Sequence, residues 1–200
     1  MKRPLLLGLT GSIGMGKSTT AGFFAAEGIP VWDADTAVAE LYRPGGAAVA
    51  PLGALYPESL LQGGIDRGRL RARIAADPSA LARIEGVVHP LVAAHRAAFI
   101  EEAAKKGAWM VLLDIPLLFE TGADSMADEV LVVTAPEDVQ QDRVMARPGM
   151  TKAHLATILA RQMPDVEKRA RAGHVIETLS LDQTRRAVKA LIDKLRTAHA

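Results

Sequence analysis

The chain of 200 residues contains no cysteine. That removes disulfide frameworks, thiolate zinc sites, iron–sulfur clusters and thiol nucleophiles, and it fits a reducing cytosol. It also contains no asparagine. N-glycosylation sequons are therefore impossible, as are the Asn-Lys-x-Asp signature by which most GTPases select guanine and the metal-holding Asn of protein-kinase catalytic loops. Aromatic residues are scarce, with four Phe, two Trp and two Tyr against 35 Ala, a balance that favours close-packed helices over sheet-rich architecture. Neither sign of charge dominates, because 24 Lys and Arg meet 23 Asp and Glu. Such a chain has no global field for a polyanion, so any phosphate contact is local and no nucleic-acid partner is expected. Long apolar runs are missing too. The opening Met1-Lys2-Arg3-Pro4 and Leu5-Leu6-Leu7 imitate a signal peptide, but the run ends at Leu9 and gives way to glycines and a lysine. Trp109 to Phe119 is about half a bilayer crossing and contains Asp114 and Pro116. The expectation is a cytoplasmic protein that neither spans nor reaches a membrane.

What is present is enough hydrophobic side chain, 49% of residues, to bury a real core. Short apolar runs alternate with longer helical stretches, the order of a parallel sheet wound with helices. Strands are expected at Pro4 to Leu9, Ile29 to Trp32, Met110 to Asp114, Glu129 to Val133 and His174 to Glu177. Their Leu, Val and Ile lack polar alternation, as in strands covered on both faces. Helices are expected at Lys17 to Ala26, Leu91 to Lys105, Pro136 to Ala146, Lys152 to Arg161 and Leu181 to Ala198. The stretch from Asp33 to about Gly107 is too long for a simple crossover and reads as an inserted helical subdomain, with helical patterns at Arg69 to Ala76 and Ser79 to Val87. Between these, Asp77-Pro78-Ser79 reads as a helix stop followed by a new N-cap. Arg67, Arg69, Arg71 and Arg73 scatter around a helical axis and read as a solvated face.

The most specific signal is Gly11-Ser12-Ile13-Gly14-Met15-Gly16-Lys17-Ser18, which fits G-x-x-x-x-G-K-[ST] between an apolar strand and a helix. Glycines let consecutive backbone N–H groups curl around phosphate oxygens, and the following helix turns its positive end to the same anion. Lys17 adds a mobile charge for the β- and γ-phosphates, and the Ser18 hydroxyl is a hard oxygen ligand for Mg²⁺. The pattern establishes nucleoside triphosphate binding but leaves the fate of the phosphate open. A small-molecule or nucleotide kinase, a GTPase-like switch and an ATPase motor or regulatory module compete. The missing asparagine counts against the second, and the short, repeat-free chain against a motor. A kinase needs a base, an acceptor pocket and a basic closing segment. Asp33, at the end of the second strand, is placed to be the base, although Asp33 or Asp35 could instead cap the helix that comes next. Asp114 ends the third strand as a loose Walker B element. Arg143 and Arg147, spaced i and i+4 on one helical face, could both reach triphosphate oxygens or could be surface charge.

With these residues on view, the chain resembles the dephospho-CoA kinase family over nearly its full length. The resemblance is carried by Gly8 to Ser18, Asp33-Ala34-Asp35, Pro44-Gly45-Gly46, Ile65-Asp66-Arg67, Val88-His89-Pro90-Leu91, Ile115-Pro116-Leu117-Leu118-Phe119-Glu120, Gln140 with Arg143 and Arg147, and Gln162-Met163-Pro164 with Lys168 and Arg169. It implies a three-layer α/β P-loop kinase fold: a five-stranded parallel sheet in a core of 1–32, 108–136 and 172–200, a substrate subdomain at 33–107 and a helical lid at 137–171. It implies phosphorylation of the ribose 3′-hydroxyl of dephospho-CoA by ATP with Mg²⁺; another nucleoside or nucleotide kinase, or a regulatory P-loop ATPase, is the alternative. By the same resemblance Asp33 is the base, leaving the cap to Asp35, and Lys17 and Arg147 stabilise the transferring group. Gly11 to Thr19 and Arg143 hold the nucleotide, Ser18 binds the metal, and Thr10, Asp33, His89, Pro116, Leu117 and Leu118 contact the acceptor. Without the motif His89 would be a structural histidine, and the other four histidines show no metal-ligand spacing. Two departures stand out: Ala39 replaces a common Arg or His, and Ala172 to Thr178 lacks the Asp and Asn usual beside the adenine site. Oligomeric state is left open.

Overall fold

The computed structural model describes residues 3–199. The first two residues of the signal-like opening and the outer ends of the expected core segments, at 1, 2 and 200, lie outside them. Along the chain run β1 (Leu5–Thr10), α1 (Lys17–Ala26), β2 (Val31–Asp33), α2 (Ala34–Tyr42), α3 (Val49–Leu55), β3 (Leu60–Leu61), β4 (Gly64–Ile65), α4 (Arg67–Ala76) and α5 (Ser79–Lys105). Then come β5 (Met110–Asp114), β6 (Glu129–Thr134), α6 (Glu137–Met145), α7 (Lys152–Leu159), α8 (Asp165–Arg171), β7 (His174–Glu177) and α9 (Leu181–Ala198). Two compact units result, one of Met1–Trp32 with Ala103–Ala200 and one of Asp33–Glu102.

In the first unit the five expected strands form one sheet in the order β2-β5-β1-β6-β7. Strand β1 pairs in parallel with β5 and β6, and β6 with β7, placing Leu9 beside Asp114, Thr10 beside Val132 and Thr134 beside Glu177. From β1 the chain leaves towards β2 at one edge, and from β6 it continues to β7 at the other. The winding therefore reverses around β1, and the carboxyl ends beside it are where open α/β sheets receive ligands. All six residues of β1 are buried. Leu7 and Leu9 pack with Phe24 of α1, Met110 and Leu112 of β5, Leu131 and Val133 of β6, and Val188, Ile192 and Leu195 of α9. Each such side chain contributes about 1.5–3 kcal/mol on leaving water, so the centre of the sheet is the most firmly fixed part of this unit.

The second unit has its own core of Leu41, Leu52, Tyr56, Ile65, Leu70, Ile84 and Val88. Here the structure departs from sequence periodicity in several places. The two helices expected around Ser79 to Val87 and Leu91 to Lys105 are one helix, α5, which runs through Pro90. Ile84 and Val88 before the proline and Leu91 and Val92 after it pack on the same core, and that packing outweighs the hydrogen bond that proline removes. The new N-cap is Asp77 rather than Ser79: its carboxylate accepts from the Ser79 N–H at 3.0 Å. Nor are the four arginines simply a solvated face. Arg67 donates to the Asp35 carbonyl, Arg69 to those of Glu58 and Leu60, and Arg73 pairs with Asp77. Arg67, Arg69 and Arg71 are nevertheless exposed, as expected, and Arg73 is half-buried. The β3–β4 hairpin, α3 with its internal Pro51, and α8 carry no clear periodic signal, being two to seven residues long.

His174 opens β7 with its Nε2 3.5 Å from Glu129 Oε2. Burial lowers its pKa below the ordinary 6.5, and the attraction of Glu129 offsets this incompletely because Lys194 pushes down as well. The folded state then binds fewer protons than the unfolded one, so this contribution to stability is intact above pH 6.5 and is lost as pH falls from there through the lower folded-state value. Thermal melts should therefore show His174→Gln losing less Tm than the parent between pH 7.5 and 5.5. Parallel curves would show that His174 is not responsible.

Candidate functional site

The turn from β1 into α1 is built to leave N–H groups open. Four other helices, α2, α4, α7 and α9, fill their first turns with a side-chain cap from Asp33, Asp66, Thr151 and Ser180. Helix α1 starts after Gly16, which has no side chain to offer, at φ 81°. Its orphan donors and the positive end of its dipole are therefore left for an anion. Gly14, at φ 80°, has the same left-handed conformation, and a Cβ there would lie 2.6 Å from Val144 Cγ2. No other residue makes this loop without strain.

The loop is held from outside by side chains of later segments. Gln140 of α6 donates from Nε2 to the Ile13 carbonyl at 2.7 Å, and the Ile13 N–H donates to Gln162 Oε1 at 3.1 Å. Arg143 donates to the Gly14 carbonyl at 3.4 Å and to Thr178 Oγ1 at 3.0 Å, with a further bond to the Thr178 carbonyl. Thr178 Oγ1 lies 3.0 Å from the Met15 carbonyl, to which it donates. At the head of α1 the Lys17 ammonium is ion-paired with Asp114, which is almost fully buried at the end of β5. Ser18 and Thr19 beside it are exposed. A cavity of about 420 Å³ opens here, lined by Gly14, Gly16, Thr19, Arg143, Arg147 and Thr178. A larger one, about 620 Å³, is lined by Arg3, Trp109, Asp128 and His199 and touches none of the loop residues.

The sequence profile of the dephospho-CoA kinase family matches residues 5–182. That span takes in the whole phosphate loop and every side chain that braces it. The chain belongs to the dephospho-CoA kinase family. A dephospho-CoA kinase of Cereibacter sphaeroides is 60% identical over 194 residues, covering 97% of each chain. A crystal structure of a Thermus thermophilus protein matches with a TM-score of 0.81 at 39% identity, over 97% of this chain and 99% of that one. The dephospho-CoA kinase of Campylobacter jejuni has the same P-loop kinase fold, with a TM-score of 0.72 at 22% identity over 98% of both chains.

Within this family member the residues singled out from sequence divide. Gly11 to Thr19 form the loop and the first turn of α1, and Arg143 and Arg147 reach one cavity. They do not share a helical face, however, because α6 ends at Met145. Arg143, while lining the cavity, donates to the Gly14 carbonyl of the loop and to Thr178. Thr10 is fully buried, its hydroxyl donating to the Pro116 carbonyl at 3.0 Å, and Leu118 is fully buried as well. Of the loop after β5, Pro116 is half-buried and Leu117 exposed. His89 lies exposed on α5, and Ala39 is exposed on α2. The helix cap expected at Asp35 belongs to Asp33, whose Oδ1 accepts from the Thr36 N–H at 2.6 Å. Asp35 sits in the first turn of the helix instead.

The sequence marks Gln140, Gln162 and Lys168 as motif elements without a role, and Thr178 only as a departure. On the phosphate loop, Gln140, Gln162 and Thr178 bond backbone atoms more than 120 positions away, and no local spacing could name them. Lys168 is fully buried, 2.9 Å from Glu120 Oε1. Burial pushes the Glu120 carboxyl up, but hydrogen bonds from Lys168 and the Met163 N–H hold it below the usual carboxylate range.

Thr178→Val keeps the shape and removes the hydroxyl, leaving the Met15 carbonyl and an Arg143 N–H short of a partner. The cost should be about 1–3 kcal/mol of stability, and the KM for ATP should rise roughly three- to tenfold as the loop loosens. Steady-state kinetics with a thermal melt check both numbers; if neither moves, Thr178 is not the tie.

Proposed function

We propose that this chain transfers the γ-phosphoryl group of ATP to the ribose 3′-hydroxyl of dephospho-CoA, giving CoA and ADP, the final step of coenzyme A synthesis. The observation that carries this reading is a family match running through the intact phosphate loop and its bracing residues alike. Residues 33–107 are read as the acceptor-binding subdomain and 137–171 as the lid. The partners that go with it are ATP and a small-molecule acceptor, without nucleic acid, and the location is cytoplasmic. None of the described helices is long and apolar enough to cross a membrane.

In the reaction the acceptor oxygen attacks the γ-phosphorus, the new O–P bond forming as the bond to the β–γ bridging oxygen breaks. The proton of the hydroxyl passes to Asp33, and ADP leaves. Asp33 can cap α2 and act as base together, because capping uses Oδ1 alone. Lys17 and Arg147 neutralise charge on the transferring group, the open N–H groups of the loop hold the β-phosphate, and lid closure excludes water. Among the described residues no three carboxylates or histidines gather into a metal site. The donors on offer are the Ser18 hydroxyl and the Asp114 carboxylate, both hard oxygen, and this set fits a Mg²⁺ carried mainly by phosphates. When bound, such an ion would be held by the Ser18 hydroxyl and would offset charge on the phosphates.

Coupled ADP release with Mg-ATP should be stimulated strongly by dephospho-CoA; equal rates without it, or a preference for adenosine or a nucleoside monophosphate, would sink the assignment. The two duties of Asp33 separate by substitution. Asn still caps, so Asp33→Asn should lower kcat by roughly 100-fold or more at unchanged Tm, whereas Asp33→Ala should also lose about 0.5–2 kcal/mol of stability. Near-normal turnover in Asp33→Asn would leave Asp33 only the cap.

A further inference from the structure

Residues 162–168, between α7 and the middle of α8, grip three strand ends. Gln162 accepts from the Ile13 N–H after β1, and Asp165 Oδ2 accepts from the Thr134 hydroxyl at the end of β6 at 2.8 Å. The third grip is on Glu120, after β5. Its Oε1 accepts from the Met163 N–H at 2.8 Å and lies 2.9 Å from the Lys168 ammonium.

The ion pair is an inefficient way to hold two segments together. Lys168 is 0% exposed and Glu120 16%, and Glu120 Oε2 is buried without a hydrogen-bond partner among the described residues. Apolar side chains of similar volume generally stabilise such a position as well or better. The segment itself does not need the pair either, being tied to Ile13 and Thr134 independently. What the pair does fix is the far end of the 116–120 loop, whose near end is held by the Thr10 hydroxyl on the Pro116 carbonyl and whose middle is packed through Leu118 and Phe119. Between these two anchors lies Leu117, 39% exposed.

We propose that Glu120 and Lys168 are positioning residues for the acceptor: the buried pair sets the shape of the 116–120 loop that receives dephospho-CoA, and it serves substrate affinity rather than stability. This rests on the reading that the loop contacts the acceptor. The phosphate loop is braced by Gln140, Arg143 and Thr178 from outside this segment as well as by Gln162 within it, so the affinity for ATP should depend on the pair far less than that for the acceptor.

The test is the double variant Glu120→Gln/Lys168→Met, which removes both charges and keeps an acceptor for the Met163 N–H. It should melt at or above the parent Tm, keep the KM for ATP within about twofold, and raise the KM for dephospho-CoA about five- to twentyfold. An unchanged dephospho-CoA KM in the folded double variant overturns the proposal, as does a rise in both KM values with a lowered Tm, the mark of general damage. If the double variant does not fold, Glu120→Gln/Lys168→Leu, which likewise leaves no buried charge unpaired, carries the same comparison with the same two overturning results. Leu117→Asp separates positioning by the pair from contact by the loop. If it raises the dephospho-CoA KM while the pair variant does not, positioning by the pair is wrong; if it too has no effect, the loop does not meet the acceptor and both readings fall.

Discussion

Backbone N–H groups that have no partner within a helix must find one elsewhere, and the chemistry of this chain is organised around leaving a few of them open. At several helix starts an Asp, Ser or Thr supplies that partner, as Asp66 does for α4 through the Arg69 N–H at 2.8 Å. At α1 a glycine stands in the cap position, and the donors face outward at the reversal point of the sheet. An anion is the natural partner for such a turn. The consequence is a loop of glycines with little side-chain packing of its own. Everything else at the site restores rigidity from outside: β1 is buried along its whole length, and Gln140, Gln162, Arg143 and Thr178 each hold a carbonyl or N–H of the loop.

That arrangement gives the near-neutral charge balance a local meaning. Few basic groups are involved, and two of them are already engaged within the protein. Lys17 pairs with Asp114, and Arg143 with the carbonyls of Gly14 and Thr178. In the proposed reading a triphosphate meets a site whose cations are oriented before it arrives, and orientation in advance is where much of the catalytic advantage of phosphoryl transfer lies. Thr178 illustrates how a departure from the family pattern can be absorbed. Here one hydroxyl accepts from Arg143 and donates to Met15, and so joins the end of β7 to the phosphate loop.

Much of the fold was legible because its signals are local. The apolar strand, the glycine spacing and the helix from Lys17 to Ala26 follow from period and composition, and α9 runs from Leu181 to Ala198 as expected. Legibility failed where tertiary packing overrode a local preference. Pro90 reads as a boundary yet lies within α5, since Val88 and Leu91 are both wanted by one core. Asp33 and Asp35 are equivalent as caps on paper, and only the backbone turn at β2 decided that Asp33 takes the role. The arginines of α4 looked solvated because their acceptors, the carbonyls of residues 35, 58 and 60, come from other elements.

The sequence by itself determined the anion-binding loop, the order of strands and helices and the family, since each depends on residues adjacent in the chain or on motifs in a fixed order. Tertiary structure alone decided which side chains brace that loop and which loop the buried lysine serves. Gln140 to Ile13, Thr178 to Met15 and Lys168 to Glu120 are pairs separated by 127, 163 and 48 positions. Hydrogen bonds and ion pairs act over about 3 Å in space whatever the distance along the chain, so they become visible only once the sheet has brought its strand ends together.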